Sequence, residues 1–506
     1  MSKPKLIIAG PGAGKTYGMV NEIISSLNDL SPARYMVVIT YTNSATDNIK
    51  SRLAKRIQIP KNLFIGTMHS FLNKFIVIPF SSFHNKEVSG EKLFIQCQTN
   101  DIFAKATKGQ SVNFKTANFI KKKLKAKMNS NGYITYDQTV SLAKDCIGNK
   151  EVRRILSNRI QFLFVDEFQD TSNSIFAIID GLRKGKKTNI YCVGDPEQHI
   201  QSFDSGIKIF ENIPILKCAN SSQFKVVLNT DNYRSTQNIT SFLNHFNARK
   251  FNGEIFQQES KSDTEGEKIK FISDYGEISK MSPKFFEQCD TLSISSNERC
   301  LIAKKNDVIK RISASLAHNI ITPKKSGNLN PIKEIKATLL STLGLNQTQF
   351  CEKYNTDEFG VIKYSLKIFK AIREGVITNE NTFGKFVKDE IGLELNSEVP
   401  VKIDRLRINM SPDKIDNAVV ASNIHNYKGL ESDAVFAIAK THEELKLWLE
   451  MNFDIRDLYR DKEMTDYSRL GYVAFSRARK LLCIGCLEQI DDATIQKLEE
   501  LNVDII

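Results

Sequence analysis

The sequence has no run of about 18 apolar residues, the length that a membrane-crossing helix needs. Its start, MSKPKLIIAG, lacks the apolar stretch and small-residue cleavage site of a secretory signal, so a cytoplasmic protein with no membrane partner is expected. A disulfide framework is missing too. The nine cysteines are odd in number and irregular in spacing, which suits a reducing compartment. One C-x-x-C pair, Cys483 and Cys486, stands in the apolar run LLCIGC. Strand alternation sends the two to opposite faces and no second pair accompanies them, so buried strand cysteines are expected rather than a metal or redox site. No internal repeat or long low-complexity tract occurs.

What is present points to a globular, multidomain protein. At 506 residues the chain exceeds the ~250 to 300 at which a single core stops growing, so two to four domains are expected. Hydrophobic residues at 41% and charged residues at 25% lie near globular averages, which excludes wholesale disorder. Lys and Arg number 71 against 58 Asp and Glu, a formal charge of +13 that favours an anionic partner. Composition does not choose between nucleic acid and an anionic surface. The sharpest basic run, Lys121, Lys122, Lys123, Lys125 and Lys127, has two readings: a track for phosphates or a solvated helix face.

Short apolar, β-branched runs recur, each ending in a polar or glycine-bearing turn: LIIAG (6–10), YMVVITYT (35–42), LFIGT (63–67), FLFVDE (162–167) and NIYCVGD (189–195). Chemically suggestive residues follow each run, as in a doubly wound parallel sheet whose ligands sit beyond the carboxyl ends of the strands. A second set, RCLIAKK (299–305), AVVAS (418–422), AVFAIA (434–439) and LLCIGC (481–486), predicts a second sheet. Polar, helix-rich stretches at 80–150 and 322–415 interrupt the rhythm and read as insertions.

The first strand runs into Gly10, Pro11, Gly12, Ala13, Gly14, Lys15 and Thr16, then into a helical pattern. Glycines let backbone N–H groups wrap phosphate oxygens and the new helix adds its positive end; Lys15 reaches the β and γ phosphates and the Thr16 hydroxyl holds Mg²⁺. Only Ala9, where the strict pattern has glycine, departs. A phosphate loop needs an acidic partner at the end of a neighbouring strand, and FLFVDE supplies Asp166 for Mg²⁺ and Glu167 to deprotonate the attacking water. Cationic help at the γ phosphate can come from Arg234 and Arg477.

In order and spacing, AGPGAGKT (9–16), TYTNSA (40–45), GTMHSF (66–71), VDEFQD (165–170), VGDPEQHIQSF (193–203), LNTDNYRS (228–235), HNYKGLE (425–431) and YVAFSRA (472–478) resemble the motifs of UvrD/Rep-type superfamily 1A DNA helicases. The resemblance covers nearly the whole chain. It implies an α/β fold class: two RecA-like parallel-sheet P-loop domains with helical insertions. The implied domains are 1–79 with 151–225 (1A), the insertion 80–150 (1B), 226–321 with 416–506 (2A), and a reduced insertion 322–415 (2B). Carried over, it implies that ATP is the nucleotide, that Gln198 senses the γ phosphate, and that Arg234 and Arg477 reach it from the second domain. It further implies Tyr233 on the base, Glu431 on the ribose, and Thr42, Asn43, Thr67, His69, Phe203 and His425 along single-stranded or tailed duplex DNA. His425 and Lys428 would couple the two sites, and travel would be 3′ to 5′.

Three departures matter. After Phe203 the family reads Arg-Gly-Ala, whereas Asp204, Ser205 and Gly206 stand here, a reversal of charge beside the implied DNA path. The stretch Thr236 to Ile424 is shorter than in full-sized members, which makes strand separation a weaker expectation than ATP hydrolysis, and no nuclease domain is expected after Ile506. The family's adenine-reading glutamine, some way before the phosphate loop, has no counterpart among residues 1–8. Base selectivity then rests on stacking alone, and GTP or dATP should serve within about tenfold of ATP. In its small size and short insertions the chain resembles the helicase subunit of the Gabija anti-phage system, which works with a separate nuclease. Two functions stay open: a translocating helicase, and a DNA-gated ATPase sensor that unwinds little and regulates a partner.

Overall fold

The structure is a computed structural model; it describes residues 3–80, 94–95, 99–108, 110–131, 133–200, 210–276, 278–316, 319–321, 331–356, 358–396, 418–458 and 467–506. Each expected apolar run forms a strand. The first sheet contains β1 (Lys5–Ala9), β2 (Tyr35–Thr40), β3 (Leu63–Thr67), β4 (Ile160–Val165), β5 (Asn189–Gly194) and β6 (Lys225–Asn229), in the order β3-β2-β4-β5-β1-β6. Its neighbours pair in parallel.

Continuous apolar runs suit this sheet because helices cover both of its faces. Alternation divides each strand between two cores: Val37, Ile39, Leu163 and Val165 join one, and Met36, Val38, Phe162 and Phe164 join the other. Both β2 and β4 therefore contribute apolar side chains above and below the sheet. Strand β6 spans the boundary expected at 225/226, and it pairs with β1 through Asn229.

The second sheet contains β7 (Lys270–Ile272), β8 (Arg299–Ala303), β9 (Asn319–Ile321), β10 (Ala418–Asn423), β11 (Ser432–Ala439), β12 (Ala478–Cys486) and β13 (Asp504–Ile505). Their order is β9-β10-β8-β11-β12-β7-β13. Strands β7, β9 and β13 had no counterpart among the expected runs, because two or three residues are too few to show a period. Cys483 and Cys486 are both buried in β12.

The chain divides into two compact units. Met1–Ile294, Glu298–Leu316 and Ala421–Ile506 form the first; Ser295–Asn297 and Ala317–Val420 form the second. The second has its own small helical core, in which Ile335, Leu339, Phe350, Val361, Ile368 and Phe383 pack together. Two of its helices begin with reciprocal caps, Asn346 with Gln349 and Asn379 with Thr382. No helix among the described residues is long and apolar enough to cross a membrane.

Candidate nucleotide and nucleic-acid site

Strand β1 ends at Ala9, and the chain turns through Gly10–Gly14 into helix α1 (Lys15–Leu27). Gly12 takes φ 73° and Gly14 takes φ 67°, the left-handed region where a side chain is strained. A Cβ at Gly12 would also lie 2.2 Å from Asn232 Oδ1, so this position admits only glycine. Ala13 is buried behind the turn and Thr16 is half-buried in the first helical turn. Helix α1 starts with neither a side-chain cap nor an acidic residue in its first turn, so its N–H groups and positive dipole end favour an anion. Lys15 folds back onto the loop, its Nζ 2.9 Å from the Gly10 carbonyl oxygen and 3.2 Å from that of Ala9.

Asp166 and Glu167 follow β4 directly. The Asp166 N–H donates to the Ile39 carbonyl at 3.0 Å, which ties the acidic pair to the neighbouring strand. Glu167 is a non-glycine residue in the left-handed region, φ 49° and ψ 45°, a strained conformation of the kind concentrated at functional sites. Burial raises the Asp166 carboxyl above its ordinary range, and the adjacent Glu167 charge adds to this. Burial pushes Glu167 up as well, but Lys428, Lys15, the Gln169 amide and Arg477 outweigh it and hold that carboxylate low. Lys15 is lowered by burial, opposed by Asp195 and Glu167. Asp195, beyond β5, caps the turn Pro196–Gln198 and accepts from Gln198 Nε2 at 2.8 Å.

The chain's far end completes this cluster. Arg477, 2% exposed, donates from Nη2 to Gln198 Oε1 at 3.2 Å and from Nε to the Val473 carbonyl at 2.9 Å. Burial, then the Arg234 charge, lowers its pKa to about 9, which leaves it cationic at neutral pH. The Tyr233 N–H donates to the Gly12 carbonyl at 3.0 Å, and the Tyr233 ring beyond it is 66% exposed. Arg234 Nε lies 2.5 Å from Glu431 Oε2, so the residues expected at the γ phosphate and at the ribose are paired with each other. Lys428 Nζ meets Asp170 Oδ2 at 2.7 Å, both side chains nearly buried.

Four of the residues expected along nucleic acid gather at the carboxyl edge of the first sheet. Thr40 of β2 is in register with Thr67 of β3, so Thr42, Asn43, Thr67 and His69 all follow adjacent carboxyl ends. Thr42 accepts from the Ala45 N–H at 3.1 Å and Thr67 from the Ser70 N–H at 3.4 Å, each capping a helix. His425 is half-buried in the short helix Ile424–Tyr427 that follows β10. Phe203 lies outside the described residues, as do Asp204, Ser205 and Gly206.

Sequence reasoning missed a buried ion cluster beside Gln198. Glu197 accepts from Arg249 Nη2 at 2.8 Å and from Arg456 Nη2 at 3.0 Å, with Arg469 Nε at 3.5 Å. Asp457 joins Arg249 at 2.9 Å and Arg469 at 2.5 Å, and the Arg469 guanidinium lies over the Phe210 ring. Burial would raise Glu197, yet Arg249, Arg469 and Arg456 hold it down to about 2. Gln258 was also missed. It is 4% exposed, and its Nε2 donates to the Pro11 carbonyl at 2.9 Å, bracing the phosphate loop. Neither feature has a local sequence signal; each arises from residues far apart in the chain.

No group of three or more His, Cys, Asp or Glu among the described residues could hold a metal by itself. Mg²⁺ does not require one, because it takes one or two protein oxygens and completes its shell with phosphates and water. The Asp166 carboxylate and the Thr16 hydroxyl have that chemistry.

A family model described as an AAA domain matches residues 1–204. The Rep ATP-dependent DNA helicase of Buchnera aphidicola subsp. Schizaphis graminum is 23% identical over 78% of this chain and 69% of its own length. PcrA of Leuconostoc citreum, also named an ATP-dependent DNA helicase, is 23% identical over 49% of this chain and 38% of its own. In these matches and in its two parallel sheets flanked by helices, the chain is similar to UvrD/Rep-type helicases of superfamily 1. Within that class it is similar to the Gabija protein GajB of Bacillus cereus strain VD045, 27% identical over 60% of this chain. The match spans 58% of that relative's length.

Proposed function

We propose that the chain is an ATP-dependent DNA helicase or translocase that moves along single-stranded DNA, 3′ to 5′ as the UvrD/Rep resemblance implies. The observation that carries this reading is the 3.2 Å bond between Arg477 and Gln198, which joins the far end of the chain to the cluster around Lys15 and Glu167.

The backbone of Gly10, Gly12, Ala13 and Gly14 wraps the phosphates, and Lys15 leaves its carbonyl partners for the β and γ oxygens. Mg²⁺, held by Thr16 and Asp166, supplies charge neutralisation on the phosphates when bound. Water attacks the γ phosphorus, ADP leaves, and the Glu167 carboxylate takes the water's proton; the lowered pKa of Glu167 keeps it in the basic form. Gln198, Arg234 and Arg477 stabilise the transferring phosphoryl group. Nucleotide entry parts the pair between Arg234 and Glu431, freeing the carboxylate for the ribose while Tyr233 stacks on the base. Thr42, Asn43, Thr67, His69, Phe203 and His425 contact DNA, and the bond from Lys428 to Asp170 links that edge to the acidic pair. The division into 1A, 1B, 2A and 2B domains is part of the same proposal. Likeness to a Gabija protein supports a role in anti-phage defence with a partner nuclease.

The test is hydrolysis of ATP with and without single-stranded DNA, in the wild type and in Glu167→Gln. DNA should stimulate the wild type, and the variant should bind nucleotide and DNA yet turn over at least ~10²-fold more slowly. Absence of stimulation defeats the reading. Strand displacement on tailed and blunt duplexes then separates a helicase from a DNA-gated sensor.

A further inference from the structure

We infer that helix α2 (Phe114–Ser130) is a second contact surface for single-stranded DNA, separate from the carboxyl edges of the two sheets. The inference rests on the DNA-motor reading above.

The helix, FKTANFIKKKLKAKMNS, carries six lysines and no acidic residue, and Asn113 caps it through a 2.9 Å bond from the Thr116 N–H. Its lysines divide into two sets. Lys121 donates to Asn100 Oδ1 at 2.8 Å and Lys125 meets Asp137 at 2.7 Å, so these two, a turn apart, are committed to neighbouring segments. Lys115, Lys122, Lys123 and Lys127 are exposed, and among the described residues none forms an ion pair.

Residues 115, 119, 123 and 127 follow one another at intervals of four, a single row about 18 Å long on the outer face. Three of them are lysines and the remaining one is Phe119, 58% exposed, with Lys123 Nζ 4.6 Å from its ring centre. Phe114, at the start of the helix, is 80% exposed. An exposed phenylalanine ring standing inside a lysine row offers two kinds of contact at once: cations for phosphates and an apolar face on which an unpaired base stacks. Duplex DNA would use the cations alone, because its bases already stack on each other. An anionic bilayer fits less well, since a membrane-surface helix gathers its apolar residues on the face opposite the cations, whereas Phe119 lies between them. Single strands use the whole row.

The experiment titrates the full chain against labelled oligo(dT), a duplex of equal length and phosphatidylserine vesicles across a range of salt. Variants are Phe119→Ala and the triple Lys115→Ala, Lys123→Ala, Lys127→Ala. The triple variant should flatten the dependence of log affinity on log salt for oligo(dT) by about two units, close to 0.7 for each lost contact. Phe119→Ala should weaken oligo(dT) binding by about 5- to 150-fold with the salt slope kept, and should change duplex binding much less. Hydrolysis without DNA should match the wild type in both. Unchanged oligo(dT) affinity and slope, in a protein whose hydrolysis DNA still stimulates, overturns the inference alone. Equal losses on duplex, or a loss confined to vesicles, overturns the choice of single strands. A wild type that neither binds nor responds to any DNA overturns the functional reading with it.

Discussion

Helix α2 and the junction around Gln198 are both rich in positive charge, and they treat it in opposite ways. At the junction, Arg249, Arg456, Arg469 and Arg477 are nearly or fully buried, held by Glu197, Asp457, Gln198 and backbone carbonyls. Along the outer row of α2, lysines stand in water without acidic partners among the described residues. The difference follows from chemistry and cost. A guanidinium is weakly hydrated and presents a planar fork to several acceptors, so it can be buried where those acceptors are fixed; an ammonium is strongly hydrated and stays outside. Buried charge is therefore committed to holding parts of the fold in one arrangement. Exposed charge remains available to a partner.

The contrast predicts where substitutions are costly. Arg477→Ala should produce the largest effect, a fall of about 10³-fold or more in DNA-stimulated ATP turnover, measured at saturating nucleotide. An unchanged rate would place Arg477 outside the reacting group and reduce the junction to a structural feature. Next in size, Glu197→Gln removes the carboxylate shared by Arg249, Arg456 and Arg469, leaving Asp457 to pair with Arg249 and Arg469 alone, and should destabilise the protein by about 3 kcal/mol or more, read from denaturant midpoints. A loss no greater than that from replacing exposed lysines of α2, within about 0.5 kcal/mol, would erase the distinction between the two regions.

Acid should probe the junction more gently. Burial, with Arg469 and Lys428 nearby, lowers His199 to about 3 in the folded chain. Its unfolded value is near 6.5, so below about pH 6.5 the unfolded chain takes up a proton that the folded chain refuses, and stability declines by up to about 1.4 kcal/mol per pH unit. Glu197, depressed to about 2, contributes stability that is complete above its unfolded value near 4.3 and is lost as pH falls from there toward 2. His199→Asn should therefore flatten the decline between pH 6.5 and 5 and leave the steeper loss below pH 4.3. An unaltered profile would assign the upper decline to other groups.

Much of the candidate site was readable because its residues follow strands directly. An apolar run, a glycine-rich turn and a lysine dictate where Lys15 stands, and FLFVDE dictates that Asp166 and Glu167 emerge at the same sheet edge. The ion cluster was not readable. Glu197 and Arg456 are separated by 259 residues, and each looks like an ordinary surface charge in its own segment. Gln258 likewise reaches the phosphate loop from 247 residues away. The basic run at 121–127 stood between two readings because spacing alone does not say which lysines already have partners.

The amino-acid order by itself determined the parallel α/β class, the glycine loop at 10–14 and the nature of each group at the strand ends, since these depend on local periodicity and on backbone conformations open to glycine. Only the tertiary structure decided that Arg477 meets Gln198, that Arg234 is paired with Glu431, and that Lys121 and Lys125 have polar partners while Lys123 and Lys127 form no ion pair among the described residues. Those outcomes depend on which distant segments share a low-dielectric interior, where a charge must be paired and hydrogen-bonded, and on which face of a helix is left in water.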